Sequence, residues 1–343
     1  MNPLSVSTGA LTPTQDRVCT ELFGRRADRP SFPAGLGAEL AGLLDAGLGP
    51  LVADRQPDQP LVLTKRLLGH VHSCEGLLGA ERDAGFAWTT QSALGTVAHK
   101  AVELSVTLRH RPAPLDLVEM ALERLMDGSD RSIGAWLLDA PAVELAEVRG
   151  AAADWLTKFE DTFPPLQRSW RPRLESSLTV EACGGRVQLR GRVDLALGRA
   201  DGTSARVLIV DFKTGRARPV HTEDLRFYAL LETIRVGLPP FRLATFSLDS
   251  GTWIAEDVDT DTLLAAARRI IEGATKLLAL EAGRPPVLRA GPLCRWCPAR
   301  VECPAAAEQR RAEQRRAEEG RDAGDGTADV GLAVEPTGVC PTS

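Results

Sequence analysis

Val207-Leu208-Ile209-Val210-Asp211-Phe212-Lys213-Thr214-Gly215 runs four apolar residues into an acid, an aromatic, a base and a turn. The apolar, largely β-branched run reads as a buried strand, and Thr-Gly closes it. Side chains alternate in direction along a strand, so Asp211 and Lys213 project together and Phe212 projects away from them. A carboxylate and an ammonium therefore stand side by side at the mouth of a buried strand. Such a pair suits metal-assisted hydrolysis, in which the carboxylate holds a divalent cation and the lysine orients the attacking water. The alternative is a plain ion pair at a strand end, and the remainder of the chain decides between the two.

At 343 residues the chain can form one large domain or two ordinary ones. Hydrophobic residues at 43% and charged residues at 25% fit a globular protein. A net charge of -5 excludes a global basic field aimed at nucleic acid. Lysine occurs only at Lys65, Lys100, Lys158, Lys213 and Lys276, and asparagine only at Asn2, a bias that reflects a GC-rich coding sequence more than phosphate recognition. No run approaches the ~20 apolar residues that cross a bilayer. No basic, then apolar, leader opens the chain, so a cytoplasmic location is expected. Seven cysteines in that compartment point to metal or redox chemistry rather than a disulfide framework.

Residues 1–60 read as a poorly ordered extension with a possible short helix over 36–51. Residues 61–304 form the ordered body, and 305–343 a polar helix and tail. Within the body, a strand at 61–64 leads into a helix from Lys65 that carries Cys74. Thr89 and Thr90 cap a helix reaching about His110, and helices follow near 114–127 and 141–162. The apolar period then changes. Residues 174–182 and 187–197 read as a hairpin around Cys183-Gly184-Gly185, with a further strand over 206–212. A helix over 222–236, a hairpin of 241–248 with 252–258, and a long helix over 261–282 complete the body. This order predicts an α/β fold on a mixed central sheet flanked by helices.

Gly191-Arg192-Val193-Asp194 lies on the strand before Asp211. Antiparallel neighbours bring the two carboxylates to the same end of the sheet. Like charges held close destabilise each other unless a cation intervenes. Gly95-Thr96-Val97-Ala98-His99 puts a glycine and a histidine on one helix face, which lets the helix approach the sheet where the imidazole points. A lone helical histidine is usually a satisfied core group; with Asp194 and Asp211 present it becomes a candidate third ligand. Glu103 is placed to orient it or to sit at the surface. Glu175 is either a further carboxylate or an exposed strand charge. Tyr228, one turn after Asp224, reads equally well as a core phenol. Arg190, Arg192, Arg216, Arg218 and Arg226 lie near these motifs and either fork phosphate oxygens or are ordinary solvated charge.

Cys294-x-x-Cys297-x5-Cys303, set among Pro292, Pro298 and Pro304, is a metal-site spacing that lacks a fourth thiolate. Cys74 is the candidate, because Cys19, Cys183 and Cys340 fall in a weak segment, a turn and a tail. A cluster so built would tie the two ends of the body together. A [4Fe-4S] cluster and a structural zinc both accept four thiolates, and the spacing does not separate them.

Taken together, these motifs resemble the PD-(D/E)XK nuclease superfamily, specifically its RecB-like branch with a C-terminal iron–sulfur cysteine cluster. That branch includes the AddB nuclease domain and the CRISPR-associated adaptation exonucleases. The resemblance runs from about Leu61 to Pro304 and implies a restriction-endonuclease-like core with an Fe-S staple joining its N- and C-terminal parts. It implies Mg2+ or Mn2+ on His99, Asp194, Asp211 and the Phe212 carbonyl, with Glu175 and Tyr228 alongside and Lys213 positioning the water. It further implies a [4Fe-4S] cluster on Cys74, Cys294, Cys297 and Cys303. The implied substrate is DNA, as single strands or ends, gripped by Arg192, Arg216, Arg218 and Arg226 during repair or recombination. One position departs from the pattern: the helix after the lysine usually reads Gln-x-x-x-Tyr, and Asp224 replaces the glutamine. The chain has no Gly-x-x-x-x-Gly-Lys-Ser/Thr loop, so a helicase partner would be a separate chain. Two competing readings are a non-catalytic DNA-binding or scaffolding subunit and a zinc-binding regulator. The complete His/Asp/Asp/Lys set weighs against the first, and the Asp211–Lys213 strand against the second.

Overall fold

Alternating side chains from Arg173 to Leu197 make one long hairpin, and the sheet is assembled on its second strand. The computed structural model describes residues 11–25, 28–108, 112–128, 130–215 and 220–325. In chain order the elements are α1 (Pro13–Val18), α2 (Leu36–Leu48), β1 (Leu61–Thr64), α3 (Lys65–Ser73), α4 (Glu75–Ala84), α5 (Thr90–Thr107), α6 (Pro114–Met126), α7 (Arg131–Asp139) and α8 (Ala142–Thr162). They continue with β2 (Arg173–Ala182), β3 (Val187–Leu197), β4 (Leu208–Lys213), α9 (Val220–Val236), β5 (Arg242–Ser247), β6 (Thr252–Asp257), α10 (Thr260–Glu281) and α11 (Pro304–Asp325). The chain divides into two compact units: one runs to His72 and resumes over Phe86–Pro285, and the other joins Ser73–Gly85 to the chain from Pro286 onward. No described helix is long and apolar enough to cross a membrane.

The first unit holds a six-stranded sheet in the order β1-β3-β4-β5-β6, with β2 also paired to β3. β1/β3 and β4/β5 are parallel and the other pairs antiparallel, so the sheet is mixed as the sequence predicts. One edge of β3 is shared. Its residues 187–190 pair with β1 and its residues 195–197 with β4. The interval Gly191–Asp194 therefore lies at a split where β1 ends and β4 begins. The turn into β3 needs left-handed backbone at Cys183, Gly184 and Gly185, which the two glycines adopt freely.

Helices flank the sheet. α9 packs on β5 and β2, with α2 and α10 against α9, while α5, α6 and α8 pack on one another. Phe159 on α8 meets the Phe212 ring edge-on at 5.4 Å, and Phe163 meets Phe246 likewise at 5.5 Å. These T-shaped pairs fix the β4–β5 face beneath the helices.

Residues 1–60, expected as a loose extension, are folded where they are described. Leu36, Leu40, Leu44 and Leu48 recur every four residues and are buried along α2. Thr12 and Gln15 form a capping box on α1, and the Gln15 amide also donates to the Glu160 carbonyl at 2.8 Å. The predicted helix to His110 stops at Thr107, where Leu108 turns extended, and residues 109–111 lie outside the described chain. α7, capped by Asp130, was not anticipated.

Gly191 is where α9 meets β3. A Cβ there would stand 2.5 Å from Cε1 of the buried Tyr228 ring and 3.4 Å from Phe227. Gly191→Ala should therefore destabilise the protein by about 1–3 kcal/mol, read as a lower urea midpoint, because the Tyr228 ring or the strand must shift to admit the methyl. An unchanged midpoint would show that the ring is loosely held.

Candidate active site

Six elements, α3, α5, β2, β3, β4 and α9, supply side chains around the split in β3. α5 starts at Thr89, whose hydroxyl accepts from the Ser92 N–H while the Ser92 hydroxyl accepts from the Thr89 N–H, and this capping fixes where His99 lands. His99 Nδ1 lies 3.7 Å from both Glu175 Oε1 and Asp194 Oδ1. Ligand atoms of these three residues all stand within 4.8 Å of one another. Glu175 falls opposite Asp194 in the β2–β3 register, between the pairs Leu174↔Leu195 and Ser176↔Val193. Its φ of 46° is left-handed, a conformation that costs a carboxylate-bearing residue about 1 kcal/mol or more. Its second oxygen forms an ion pair with Arg192, 2.9 Å from Nε.

Asp194 Oδ2 accepts from the Phe212 N–H at 2.7 Å, which ties the end of β3 to β4. Asp211, 1% exposed, lies between two lysines. Its Oδ1 accepts from Lys65 Nζ at 2.9 Å. Its Oδ2 lies 2.6 Å from Lys213 Nζ, yet it is buried with no donor in hydrogen-bonding alignment. Lys65 Nζ also sits 4.9 Å from the centre of the Tyr228 ring, a cation–π distance.

Burial pushes the Asp194 carboxyl up to about 6; His99 opposes the rise and the Asp211 charge adds to it. Burial works against charged His99, but Asp194 and Glu175 together outweigh it and raise the imidazole pKa. Burial likewise works against ionised Asp211, and Lys213 with Lys65 overcomes it, holding the carboxyl below its ordinary range.

All of these groups line one groove of about 790 Å³. An imidazole and three carboxylates, one of them with a buried oxygen that lacks an aligned donor, form an oxygen-rich set that suits a hard divalent cation. The structure thus brings together His99, Glu175, Asp194, Asp211, Lys213, Tyr228 and Arg192 along one groove. The closest trio contains Glu175 rather than Asp211, because the two lysines draw Asp211 aside. Other expected residues are engaged elsewhere. Glu103 pairs with Lys100 at 2.8 Å instead of orienting His99. Arg226 pairs with Glu223 at 2.8 Å and also with Glu256, and Arg190 donates to Gln188. Arg216 and Arg218 lie outside the described residues. A methyl on Gly95 would meet Thr214 Cγ2 at 3.4 Å, so packing tolerates more than glycine there. Lys65 is the site residue that the sequence did not single out; its one signal was the scarcity of lysine.

The four cysteines of the split motif all fall in the second unit. Glu75 and Val287 join its two segments: the Glu75 N–H donates to the Val287 carbonyl at 3.2 Å, and the Val287 N–H donates to Glu75 Oε2 at 2.8 Å. Cys74 caps α4, Cys294 sits in the short turn Pro292–Arg295, and Cys303 immediately precedes α11. With Cys297 they line a cavity of about 290 Å³ that is also walled by Leu77, Leu288 and Leu293. Among the described residues no three cysteine sulfurs lie within 4.8 Å of one another.

The profile of the PD-(D/E)XK nuclease superfamily matches residues 72–304. No functionally curated protein matches the chain. Among solved structures, SSO0001 is 14% identical with a TM-score of 0.33, covering 77% of this chain and 95% of that one. A protein from Eubacterium rectale, provisionally named an exonuclease, is 11% identical with a TM-score of 0.38, covering 66% and 84%.

A cation in the groove requires ionised Asp194 and neutral His99, and both groups take up protons as the pH falls toward 6. Mn2+ affinity by calorimetry should therefore weaken by about ten- to a hundredfold between pH 8 and pH 6, with proton release on binding. A pH-independent affinity would mean that neither side chain meets the ion.

Proposed function

Because the chain belongs to the PD-(D/E)XK nuclease superfamily, we propose that it is a metal-dependent DNA nuclease of the RecB-like branch, an exonuclease acting on single strands or ends. The observation that carries this reading is the convergence of His99, Glu175 and Asp194 within 4.8 Å in the groove that also holds the Asp211–Lys213 pair. That set supplies cation ligands and an adjacent ammonium, the two requirements of phosphodiester hydrolysis without a covalent intermediate.

In this reading His99, Asp194, Asp211 and the Phe212 carbonyl hold Mg2+ or Mn2+, and Glu175 completes the anionic wall. The cation supplies Lewis acidity, lowering the pKa of the attacking water and offsetting charge on the phosphoryl oxygens. Lys213, 2.6 Å from Asp211, turns its ammonium to position the nucleophilic water. Arg192, exposed at the groove and tethered by Glu175, takes a flanking phosphate. Tyr228 walls the groove behind Lys65. Repair or recombination in the cytoplasm, with any helicase on a separate chain, is the setting that fits.

Cys74, Cys294, Cys297 and Cys303 hold a [4Fe-4S] cluster in the second unit. The support is one cavity lined by all four thiols, set in the Cys-x-x-Cys-x5-Cys spacing with Cys74 brought in from the N-cap of α4.

Asp211→Ala and Lys213→Ala should each slow Mn2+-dependent degradation of end-labelled single-stranded DNA by about a thousandfold or more, the equivalent of about 4 kcal/mol, with unchanged circular dichroism. Wild-type rates from both variants would overturn the assignment. Protein purified without oxygen should be brown and carry about four irons per chain. A colourless protein with one zinc would remove the cluster and leave the nuclease reading intact.

A further inference from the structure

Lys65 leaves β1 where the shared edge of β3 splits. Thr64 pairs with Arg190, so the next residue arrives beside Gly191, while Leu195 opposite Val210 brings Asp211 in from the other side of the gap. The lysine closes that gap with its 2.9 Å hydrogen bond to Asp211 Oδ1 and the Tyr228 ring beneath its ammonium. Behind the groove its stem lines a small recess together with Asp224, Phe227 and Arg269. Burial raises the Asp224 carboxyl pKa, and the positive charges of Lys65, Lys213 and Arg269 oppose that rise.

Each oxygen of Asp211 has a different environment. Oδ1 is taken by Lys65, whereas Oδ2 faces Lys213 without alignment and is otherwise unsatisfied. A carboxylate pinned through one oxygen is held in one orientation, which fixes where the other oxygen faces. Lys213 Nζ lies 2.6 Å from Oδ2 but is not aligned to donate to it, so the hydrogen bond that orients Asp211 comes from Lys65. We propose that Lys65 is a positioning residue which pins Asp211 through Oδ1 so that Oδ2 alone meets the divalent cation, and that Asp224 holds Lys65 in place. Asp224, at the position where the resembling pattern carries glutamine, then serves the lysine rather than the substrate. The proposal takes from the nuclease reading only the location of the cation.

The test is Mn2+ binding by calorimetry on the full-length protein without DNA, so it does not depend on cleavage. Lys65→Met, which keeps the stem and removes the charge, should weaken Mn2+ binding by about 10- to 100-fold, as the loss of a ligand's supporting hydrogen bond does. Lys65→Arg should recover part of that loss. Asp224→Asn should weaken binding less, and combined with Lys65→Met it should add nothing further, because it acts through the lysine. Mn2+ held as tightly or more tightly by Lys65→Met would mean that the ammonium merely occupies the cation's place, and would overturn the proposal. If Lys65→Met does not fold, Asp224→Asn decides: a severalfold loss supports the proposal and unchanged affinity overturns it. Wild-type protein that binds no Mn2+ would overturn both this proposal and the nuclease reading, whereas wild-type binding without cleavage would overturn only the latter.

Discussion

The organisation of the groove depends on one strand serving two neighbours along a single edge. β3 gives its first half to β1 and its last residues to β4, and among the described residues no strand pairs with 191–194 on that side. Backbone and side-chain groups at such a gap need partners other than a ladder. Asp194 supplies one by accepting the Phe212 N–H, and Lys65 supplies another by spanning to Asp211. The same gap admits the Tyr228 ring against Gly191 from α9. Polar groups are therefore concentrated where the sheet is interrupted, and an aromatic cluster stiffens the strand beside them.

Local chemistry made much of this readable in advance. The β2–β3 hairpin follows from alternation and a glycine turn, and both signals lie within a few residues of each other. His99, Asp194, Asp211 and Lys213 stand on long, strongly patterned elements, so their convergence could be anticipated. Glu175 could not be ranked, since its approach depends on a left-handed backbone at a position that reads as plain strand. Lys65 was hidden for a different reason. Its role arises from parallel pairing between segments more than a hundred residues apart in sequence, and nothing in Leu-Thr-Lys-Arg announces it. The N-terminal helices were underestimated because their apolar stripes are short and the Gln15 contacts that anchor them are tertiary.

The second unit is economical in a different way. Trp296 is 62% exposed and Val301 79%, so its apolar side chains do little to build a core. A helix, a short turn and a long polar helix rarely hold together on such terms without a metal group or cross-link. The Glu75–Val287 exchange aligns the two segments, and the proposed cluster would supply the remaining folding free energy. On that proposal, iron loading in this unit would be a matter of folding as much as of chemistry.

Glu175 carries a lesson about selection. At its φ of 46° a glycine would rest without strain, and the opposing strand would lose little by the exchange. Pressure for a sturdier sheet would erase this glutamate; pressure for a working groove would retain it. Variants recovered for heat tolerance alone should drift toward glycine there and grow firmer as the groove loses one of its carboxylates.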